Sequence, residues 1–241
     1  MRTAIVSDVH GNLSALEAVI RDIKTVGVDV IVNGGDLVGS GRRPAEVIDL
    51  VSSLQWPGIV GNTDEVLWKP QPLHDLAERL PALKATWDIV FEDVERTRSA
   101  IGDRRLQWLR NLEGQWSTTG VTVVHASPGD TWKAPGPSAT DEEMAEAYGG
   151  LRSPLVIYGH FHVPFIRSIP DFLVANSGSV GMPYDGDSRA SYLIVENGRP
   201  AIHRVEYDIE AEIAELKAVH PRGEWIAAIL RAGKYLPPPD S

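Results

Sequence analysis

The chain of 241 residues contains no cysteine. Without thiol groups it can form no disulfide bond and use no thiolate nucleophile, and it can hold neither an iron–sulfur cluster nor a cysteine-bound zinc ion. Any metal ion in this protein must therefore be bound by nitrogen and oxygen ligands.

Long hydrophobic runs are missing as well. The longest unbroken apolar run covers the six residues 225–230, whereas a membrane-spanning helix needs about 20. The N-terminal segment MRTAIVSD becomes polar too early for a signal peptide. We therefore expect a cytoplasmic protein that does not enter a membrane.

Positive charge is scarce and dispersed. The 23 Lys and Arg residues are outnumbered by 33 Asp and Glu residues, which gives a net charge of −10. Binding of duplex nucleic acid depends on neutralising many phosphates, so we expect no long duplex as a partner. The apolar content of 43% and the charged content of 23% are those of an ordinary globular protein.

The first 60 residues alternate β-branched runs with amphipathic stretches. This pattern predicts the order strand, helix, strand, helix, strand. Two βα units of this kind indicate a parallel or mixed sheet covered by helices. The predicted elements are residues 3–7, 13–26, 28–33, 44–54 and 58–60.

Capping residues predict where helices begin and end. Ser14 and Glu17 have the spacing of a capping box near the start of the first helix. Thr140 and Glu143 have the same spacing before a short helix that Gly149 would end. A hairpin turn is predicted at 198–200, so that the two strands beside it pair antiparallel.

The rest of the chain divides into a helical part and a second run of strands. Residues 63–116 hold four of the seven tryptophans and form a predicted helical insert or cap. Residues 208–241 form predicted C-terminal helices with a tail, whose apolar stripes suit packing on the sandwich or a homo-oligomer contact. We interpret 1–241 as one domain. The later strands are predicted at 121–125, 155–158, 172–175, 191–196 and 201–207.

Histidine and aspartate cluster beside glycine at the ends of the predicted strands. Residues i and i+2 of an extended chain point to the same side, so each Asp-x-His or His-x-His pair can supply two ligands to one point. The carboxyl ends of strands are also where open α/β sheets place ligands. The clusters are Asp8 and His10, Asp36, Asn62, His125, and His160 with His162.

Each of these signals alone has a structural explanation. Gly-Asp and Gly-Asn pairs are common in turns, Asp-x-His after a strand is often a helix cap, and His125 alone could be a buried core histidine. The joint occurrence decides, because five signals in strand order use four of the seven histidines. We therefore expect a metal site.

The same segments resemble a known family. The motifs SDVHGN (7–12), GGDLVG (34–39), GNTDE (61–65), VVHASP (123–128) and YGHFHVP (158–164) resemble those of the calcineurin-like metallophosphoesterases. Residues 35–47 and 176–192 look like the small bacterial and archaeal phosphodiesterase branch, which includes diadenosine tetraphosphatase-like proteins. The resemblance implies an α/β fold, a four-layer α/β/β/α sandwich of two mixed β-sheets flanked by helices, with a helical insert.

The resemblance also implies a dinuclear metal centre and a role for each ligand. One divalent ion would be bound by Asp8, His10, Asp36 and His162. The other would be bound by Asp36, Asn62, His125 and His160, so that Asp36 bridges the two. The family hydrolyses phosphate esters by attack of a metal-bridging hydroxide, with Asp36, Asn62 and His125 as catalytic residues here. We expect manganese, although the ligands also suit Fe, Zn, Ni, Co or Mg.

Thr63 departs from the family pattern. Many members have a histidine directly after Gly-Asn, where it binds phosphate and protonates the leaving group, and threonine cannot be a useful general acid near neutral pH. Asp64, which usually orients that histidine, then lacks its partner. His74 in the predicted insert is a candidate replacement, although a lone loop histidine is more often exposed to solvent.

The predicted substrate contacts are Asn62 and Arg189, the latter because it lies in the resembling stretch 176–192. Arg42, Arg43 and Lys133 lie in loops where solvent exposure is the expected state. Tyr184 stands where relatives often have arginine. The tryptophans of 63–116 suit a lid over the site as well as ordinary packing.

Three functions follow for comparison. The first is a phosphoesterase that cleaves phosphodiesters or nucleotide anhydrides, with a small phosphate ester or nucleotide as substrate. The second is a phosphomonoesterase or protein phosphatase that uses the same metals. The third is a binding or scaffold protein that retains the fold, which the loss of the histidine at position 63 keeps open.

Overall fold

The computed structural model describes residues 1–239, which contain nine strands and eight α-helices. The strands are β1 (Arg2–Val6), β2 (Val30–Asn33), β3 (Gln115–Thr118), β4 (Val121–Val124), β5 (Leu155–Tyr158), β6 (Phe165–Ile169), β7 (Phe172–Asn176), β8 (Ala190–Glu196) and β9 (Arg199–Val205). The helices are α1 (Leu13–Val26), α2 (Pro44–Ser53), α3 (Asn62–Glu65), α4 (Gln71–Arg79), α5 (Lys84–Arg110), α6 (Asp141–Tyr148), α7 (Ile209–Val219) and α8 (Gly223–Ala232).

The strands form two mixed sheets. The first sheet has the order β2-β1-β8-β9, in which β1 and β2 are parallel and the other pairs are antiparallel. The second sheet has the order β3-β4-β5-β7-β6, with β4, β5 and β7 parallel to one another. Each sheet therefore contains neighbouring parallel strands whose carboxyl ends can carry functional loops.

Alternate residues of the central strands enter different apolar layers. Ile5 and Leu193 lie in the core between the two sheets, whereas Val6 and Tyr192 face the helices outside the first sheet. On the outer side of the second sheet, Val156 packs with α6. Because both faces of these strands are buried, the sequence reads as continuous apolar runs. The four-layer α/β/β/α prediction is confirmed.

Two strands were absent from the sequence prediction, and one predicted strand is wrong. Strand β3 begins inside the predicted insert 63–116, and β6 is an edge strand whose exposure alternates along its length. Both strands lie at sheet edges, where one side needs no apolar residue. Residues 58–60 form only isolated bridges, from Gly58 to Asn33 and from Ile59 to Glu113.

Helix α1 has the predicted bounds, but a different residue from the predicted one caps its start. Its N-cap is Asn12, whose side-chain oxygen accepts from the Ala15 N–H at 3.1 Å, so the capping box at Ser14 and Glu17 is wrong. The box at the start of α6 is confirmed, because Thr140 and Glu143 exchange both hydrogen bonds. The turn between β8 and β9 consists of Asn197 and Gly198, both with positive φ, so it begins one residue before the predicted turn.

Helices α3–α5 occupy most of residues 63–116. Helix α5 breaks at Gly102, which has φ 68° and ψ 172°. Trp68, Trp87 and Trp108 pack against the core outside the first sheet. Arg105 of α5 binds both carboxylate oxygens of Asp49 in α2, at 2.9 and 2.6 Å.

A buried carboxylate joins the C-terminal helices to the sandwich. Glu212 of α7 accepts a hydrogen bond from Ser14 at 2.6 Å and lies 3.2 and 3.1 Å from Arg42 and Arg43. The two arginine side chains are only 11% and 21% exposed, so the expectation that they are solvated is wrong. They hold α7 instead.

Within residues 1–239, no helix has the length and apolar character required to cross a bilayer.

Candidate metal centre

The loops after four parallel strands carry six of the seven predicted ligands. Asp8 and His10 follow β1, and Asp36 follows β2, in the first sheet. In the second sheet, His125 follows β4, and His160 and His162 follow β5. The seventh, Asn62, is the first residue of α3. Because the two sheets present these ends to the same side, the structure brings all seven predicted side chains together.

Four side chains form the first half of the cluster. Single ligand atoms of Asp8, His10, Asp36 and His162 all lie within 4.8 Å of one another. The Nε2 atoms of His10 and His162 are 3.0 Å apart, and His162 Nε2 is 3.2 Å from Asp8 Oδ1. His10 Nε2 is 3.6 Å from Asp36 Oδ2. All four residues are buried.

Asp36 also reaches the second half of the cluster. Its Oδ1 lies 3.3 Å from His125 Nε2. Asn62 Oδ1 is 3.0 Å from His125 Nε2 and 2.9 Å from His160 Nδ1. One carboxylate therefore contacts both halves, the position that the sequence assigned to a bridging ligand.

The tautomers of two histidines show what the cluster can hold. His162 Nδ1 lies 2.6 Å from the Met182 carbonyl oxygen, and His125 Nδ1 lies 2.9 Å from the Gly34 carbonyl oxygen. A carbonyl can only accept, so both Nδ1 atoms carry the proton. When these rings are neutral, their Nε2 lone pairs point at carboxylate and amide oxygens, which also accept. Only a proton or a cation satisfies such a convergence, so the donor set fits divalent metal ions.

The pKa values of the metal-free cluster follow from burial and the neighbouring charges. Burial lowers the pKa of His10 and of His160 to about 4, so both are neutral ligands at pH 7. For His125, burial acts downward, but Asp36 and Asp8 outweigh it and raise the pKa to about 10. Burial opposes ionisation of Asp36 as well, yet His125 holds its pKa well below the ordinary value. In the absence of metal, a proton on His125 balances the carboxylates.

Five predicted ligands have left-handed backbone conformations. Among the described residues, eight other than glycine have positive φ, and five of these are in the cluster. Such conformations cost free energy in residues with a Cβ atom and concentrate at functional sites. The φ angles are 56° for Asp8, 49° for His10, 55° for Asp36, 67° for His160 and 59° for His162.

Backbone hydrogen bonds from neighbouring loops fix these conformations. Asp64 is fully buried and its carboxylate accepts N–H groups of Asp36, Leu37, Val38 and Gly61 at 2.9 to 3.2 Å. Asp64 therefore holds the loop of Asp36, and this role requires no histidine at position 63. Burial and the charge of Asp36 raise the pKa of Asp64.

The two sheets are connected by a contact that involves a ligand. The His160 N–H donates to Asp8 Oδ1 at 3.0 Å, and Ser7 Oγ donates to Asp8 Oδ2 at 2.5 Å. The polar turn after β7 supports the same region: Asn176 donates to the Gly159 carbonyl at 2.6 Å, and Ser179 donates to the Asp8 carbonyl at 2.6 Å. Gly39 has φ 132°, and a Cβ there would lie 2.8 Å from His10 Nδ1, so the loop passes too close for a side chain.

Other predicted contacts lie away from the cluster. Arg189 is exposed and its guanidinium binds Asp187 at 2.6 Å. His74 is exposed on α4 and stacks on Phe91, with the ring centroids 4.7 Å apart. Lys133 is exposed as well. None of these side chains lines the cavity that opens on the cluster, whereas Tyr184 does and stacks on His162 at 4.4 Å.

A cavity that no sequence motif indicates adjoins the cluster. It has a volume of about 350 Å³. Its wall combines residues of α3–α5, the loop residue Trp132 and the C-terminal part from His220 to Tyr235. These segments carry no shared motif, and only their assembly in three dimensions brings them together.

Comparisons with known proteins agree with this geometry. The sequence profile of the calcineurin-like phosphoesterase superfamily domain matches residues 1–198. An uncharacterized protein of Methanocaldococcus jannaschii is 32% identical over 255 residues, which cover 96% of this chain and 98% of that protein.

Two solved structures are similar over nearly the whole chain. A metallophosphoesterase from Sphaerobacter thermophilus is 32% identical with a TM-score of 0.77, covering 97% of this chain and 100% of that one. A hypothetical protein from Pyrococcus horikoshii shares the fold at 19% identity and a TM-score of 0.80, covering 98% of this chain and 99% of that one. The chain belongs to the calcineurin-like phosphoesterase superfamily.

Proposed function

We propose that the protein hydrolyses phosphodiesters or nucleotide anhydrides with two divalent metal ions, of which Mn²⁺ is the first candidate. The observation that carries the proposal is the convergence of seven acceptor side chains on one point, with Asp36 in contact with both halves. One ion would be held by Asp8, His10, Asp36 and His162. The other would be held by Asp36, Asn62, His125 and His160. A pair of such cations can activate water at neutral pH and stabilise the charge of a phosphoryl group.

Hydrogen bonds within the protein orient the proposed metal ligands. His125 is oriented through its Nδ1–H bond to the Gly34 carbonyl, and Asp36 through the Thr63 N–H, which donates to Oδ1 at 2.9 Å. Asn62 contacts two imidazoles through Oδ1, and its amide N–H groups can donate to a phosphoryl oxygen in the adjoining cavity. Asp36, Asn62 and His125 are thus the proposed catalytic residues.

Thr63 favours substrates with good leaving groups. Its hydroxyl donates to the Val38 carbonyl at 2.8 Å, so its proton is engaged by the backbone. A positioned general acid contributes about 10² to 10⁴ in rate, and its loss affects stable leaving groups least. This supports substrates whose leaving group needs no protonation, such as anhydrides and aryl esters, over alkyl esters such as the phosphoserine substrates of a protein phosphatase.

The scaffold alternative explains less. Five strained backbone conformations and a convergence of buried acceptors destabilise a protein unless something binds there. Arg189, which the sequence assigned to substrate, would need to leave Asp187 to take that role.

The test uses metal-stripped protein reconstituted with Mn²⁺, Zn²⁺, Ni²⁺ or Mg²⁺. We expect metal-dependent hydrolysis of bis(4-nitrophenyl) phosphate to exceed that of 4-nitrophenyl phosphate. Asp36→Asn and His125→Ala should each lower kcat/KM for the diester at least 100-fold while the circular dichroism spectrum is retained. His74→Ala is the matched control, because His74 is exposed on α4 and should leave kcat/KM within twofold.

Three results would contradict the proposal. Full activity in both variants would remove the site assignment. Binding of less than one metal ion per chain, with no hydrolysis of either ester, would favour the scaffold function. Faster hydrolysis of the monoester would favour the phosphomonoesterase.

A further inference from the structure

The cavity beside the metal centre is large enough for an organic group as well as a phosphate. Five of the seven predicted ligands line it, so a phosphoryl group at the centre would have its ester group inside the cavity. The volume of about 350 Å³ is more than twice the roughly 150 Å³ of a protein cavity that binds benzene. The lining ligands are His10, Asp36, Asn62, His160 and His162.

The remaining wall is mostly apolar. Leu76 of α4 and Val94 of α5 lie on one side, and Trp225 of α8 and Tyr235 beyond it also contribute. Trp87 adds a further ring, and its indole N–H already donates to the Leu80 carbonyl at 2.9 Å. Flat aromatic walls contact aromatic ligands over a large area. The wall therefore suits a bulky aromatic group.

The wall of the cavity lacks positive charge, because no lysine or arginine among residues 1–239 lines it. Its acid outside the metal centre, Asp93, forms an ion pair with Arg96 and lies 3.3 Å from His220 Nε2. The Arg222 N–H donates to His220 Nδ1 at 3.0 Å, so Nε2 carries the proton that Asp93 accepts. Asp93 and His220 thus bind each other.

A chain of several phosphates would be poorly accommodated here. Each further phosphate brings negative charge, and burying an uncompensated charge is costly. The metal centre can neutralise one phosphoryl group, whereas a further phosphate inside the cavity would meet apolar wall residues such as Leu76, Val94 and Trp87. The cavity therefore disfavours dinucleoside polyphosphates.

Resting on the proposed function, we propose that the substrate is a phosphoester with a single phosphoryl group and a bulky aromatic ester group that fills this cavity. Water adds to phosphorus and the bond from phosphorus to the leaving oxygen breaks. One proton of the water ends on the leaving alcohol, and the other goes to solvent as the phosphomonoester product ionises at neutral pH. Leu76 and Val94 then determine which ester groups are accepted.

A substrate series with one leaving group tests the class. Methyl, benzyl and 2-naphthylmethyl 4-nitrophenyl phosphates all release 4-nitrophenolate, so differences in kcat/KM report the group that remains. We expect kcat/KM to rise at least tenfold from the methyl to the naphthylmethyl ester. Diadenosine tetraphosphate should be cleaved at least 100-fold less efficiently than the naphthylmethyl ester.

Variants that fill the cavity test its role. Leu76→Trp and Val94→Trp should each lower the ratio of naphthylmethyl to methyl kcat/KM at least tenfold. The matched controls are Leu83→Trp and Val219→Trp, whose parent side chains are 44% and 67% exposed and do not line the cavity. These controls should leave the ratio within twofold.

A binding measurement provides a readout that does not require turnover. Isothermal titration calorimetry with 2-naphthalenemethanol should show binding to the protein. Leu76→Trp should weaken this binding at least tenfold, whereas Leu83→Trp should not. An alcohol that does not bind, or binds equally to all variants, would overturn the inference.

The outcomes separate this inference from the proposed function. If the methyl ester is cleaved and the naphthylmethyl ester is no better, or if the tetraphosphate is preferred, the substrate class is wrong while phosphoester hydrolysis stands. If no ester is cleaved by metal-loaded protein, the proposed function fails, and the substrate class fails with it.

Discussion

At the scale of single residues, the centre depends on which ring nitrogens hold protons. The carbonyls of Gly34 and Met182 accept from His125 and His162 and direct both Nε2 atoms inward. The residue types and their place after the strands could be predicted, although the extended-chain geometry assumed for Asp-x-His and His-x-His is wrong, because Asp8, His10, His160 and His162 all have positive φ. The left-handed conformations of these residues could not, since they arise from loop contacts such as those of Asp64.

Metal binding should release a proton from His125. Its pKa is raised to about 10 in the metal-free cluster, so the ring is charged at pH 7 and must become neutral to bind a cation. Calorimetry with Mn²⁺ in two buffers of different protonation enthalpy should show release of about one proton per chain at pH 7, and apparent affinity that rises with pH. Equal heats in the two buffers would contradict this. The His74→Ala variant should behave as wild type.

The raised pKa of His125 also determines how the stability of the metal-free protein changes with pH. A group with a raised pKa stabilises the folded state fully below its ordinary value and loses that contribution as the pH rises through the folded value. The part of the free energy of unfolding that depends on His125 should therefore decline between pH 6.5 and about 10.

At the scale of elements, the interior strands were predictable, whereas of the edge strands β2 and β9 were predicted and β3 and β6 were not. Strands β1, β4 and β5 have both faces buried, and their apolar runs stand out in the sequence. The edge strands β3 and β6 do not, because half of their residues face outward. Helix α1 was predicted from its apolar face, but its cap was misplaced, since Ser14 serves a contact between elements instead.

The contact between α7 and the sandwich should be a large contribution to stability. Glu212 is buried and faces both Arg42 and Arg43, so Glu212→Gln leaves charges in a poorly hydrated position. Removing one partner of a buried ion pair costs about 3 to 5 kcal/mol, and we expect the lower end because Arg42 also pairs with Glu215. The free energy of unfolding from urea titration measures the loss.

Glu215→Gln is the matched control for this variant. Its side chain is 60% exposed, and an exposed ion pair contributes about 0 to 1 kcal/mol. A Glu212→Gln protein no less stable than the Glu215→Gln protein would show that the contact does not hold α7.

At the scale of the whole molecule, the two sheets bring the carboxyl ends of their parallel strands together and the helices add the cavity. Sequence motifs mark these strand ends, so the fold and the candidate metal centre could be predicted before the structure was known. The cavity wall could not, because Leu76, Val94 and Trp225 carry no chemistry that identifies them singly. The residues that would select the substrate under our proposal therefore come together only in the assembled fold.

A crystal structure of Mn²⁺-loaded protein, with an anomalous difference map collected near the manganese edge, tests the account most directly. We expect two peaks about 3.5 to 4 Å apart, with the Asp36 carboxylate between them and the other six residues around them. A single peak, no peak, or ions bound away from Asp36 would contradict the dinuclear centre.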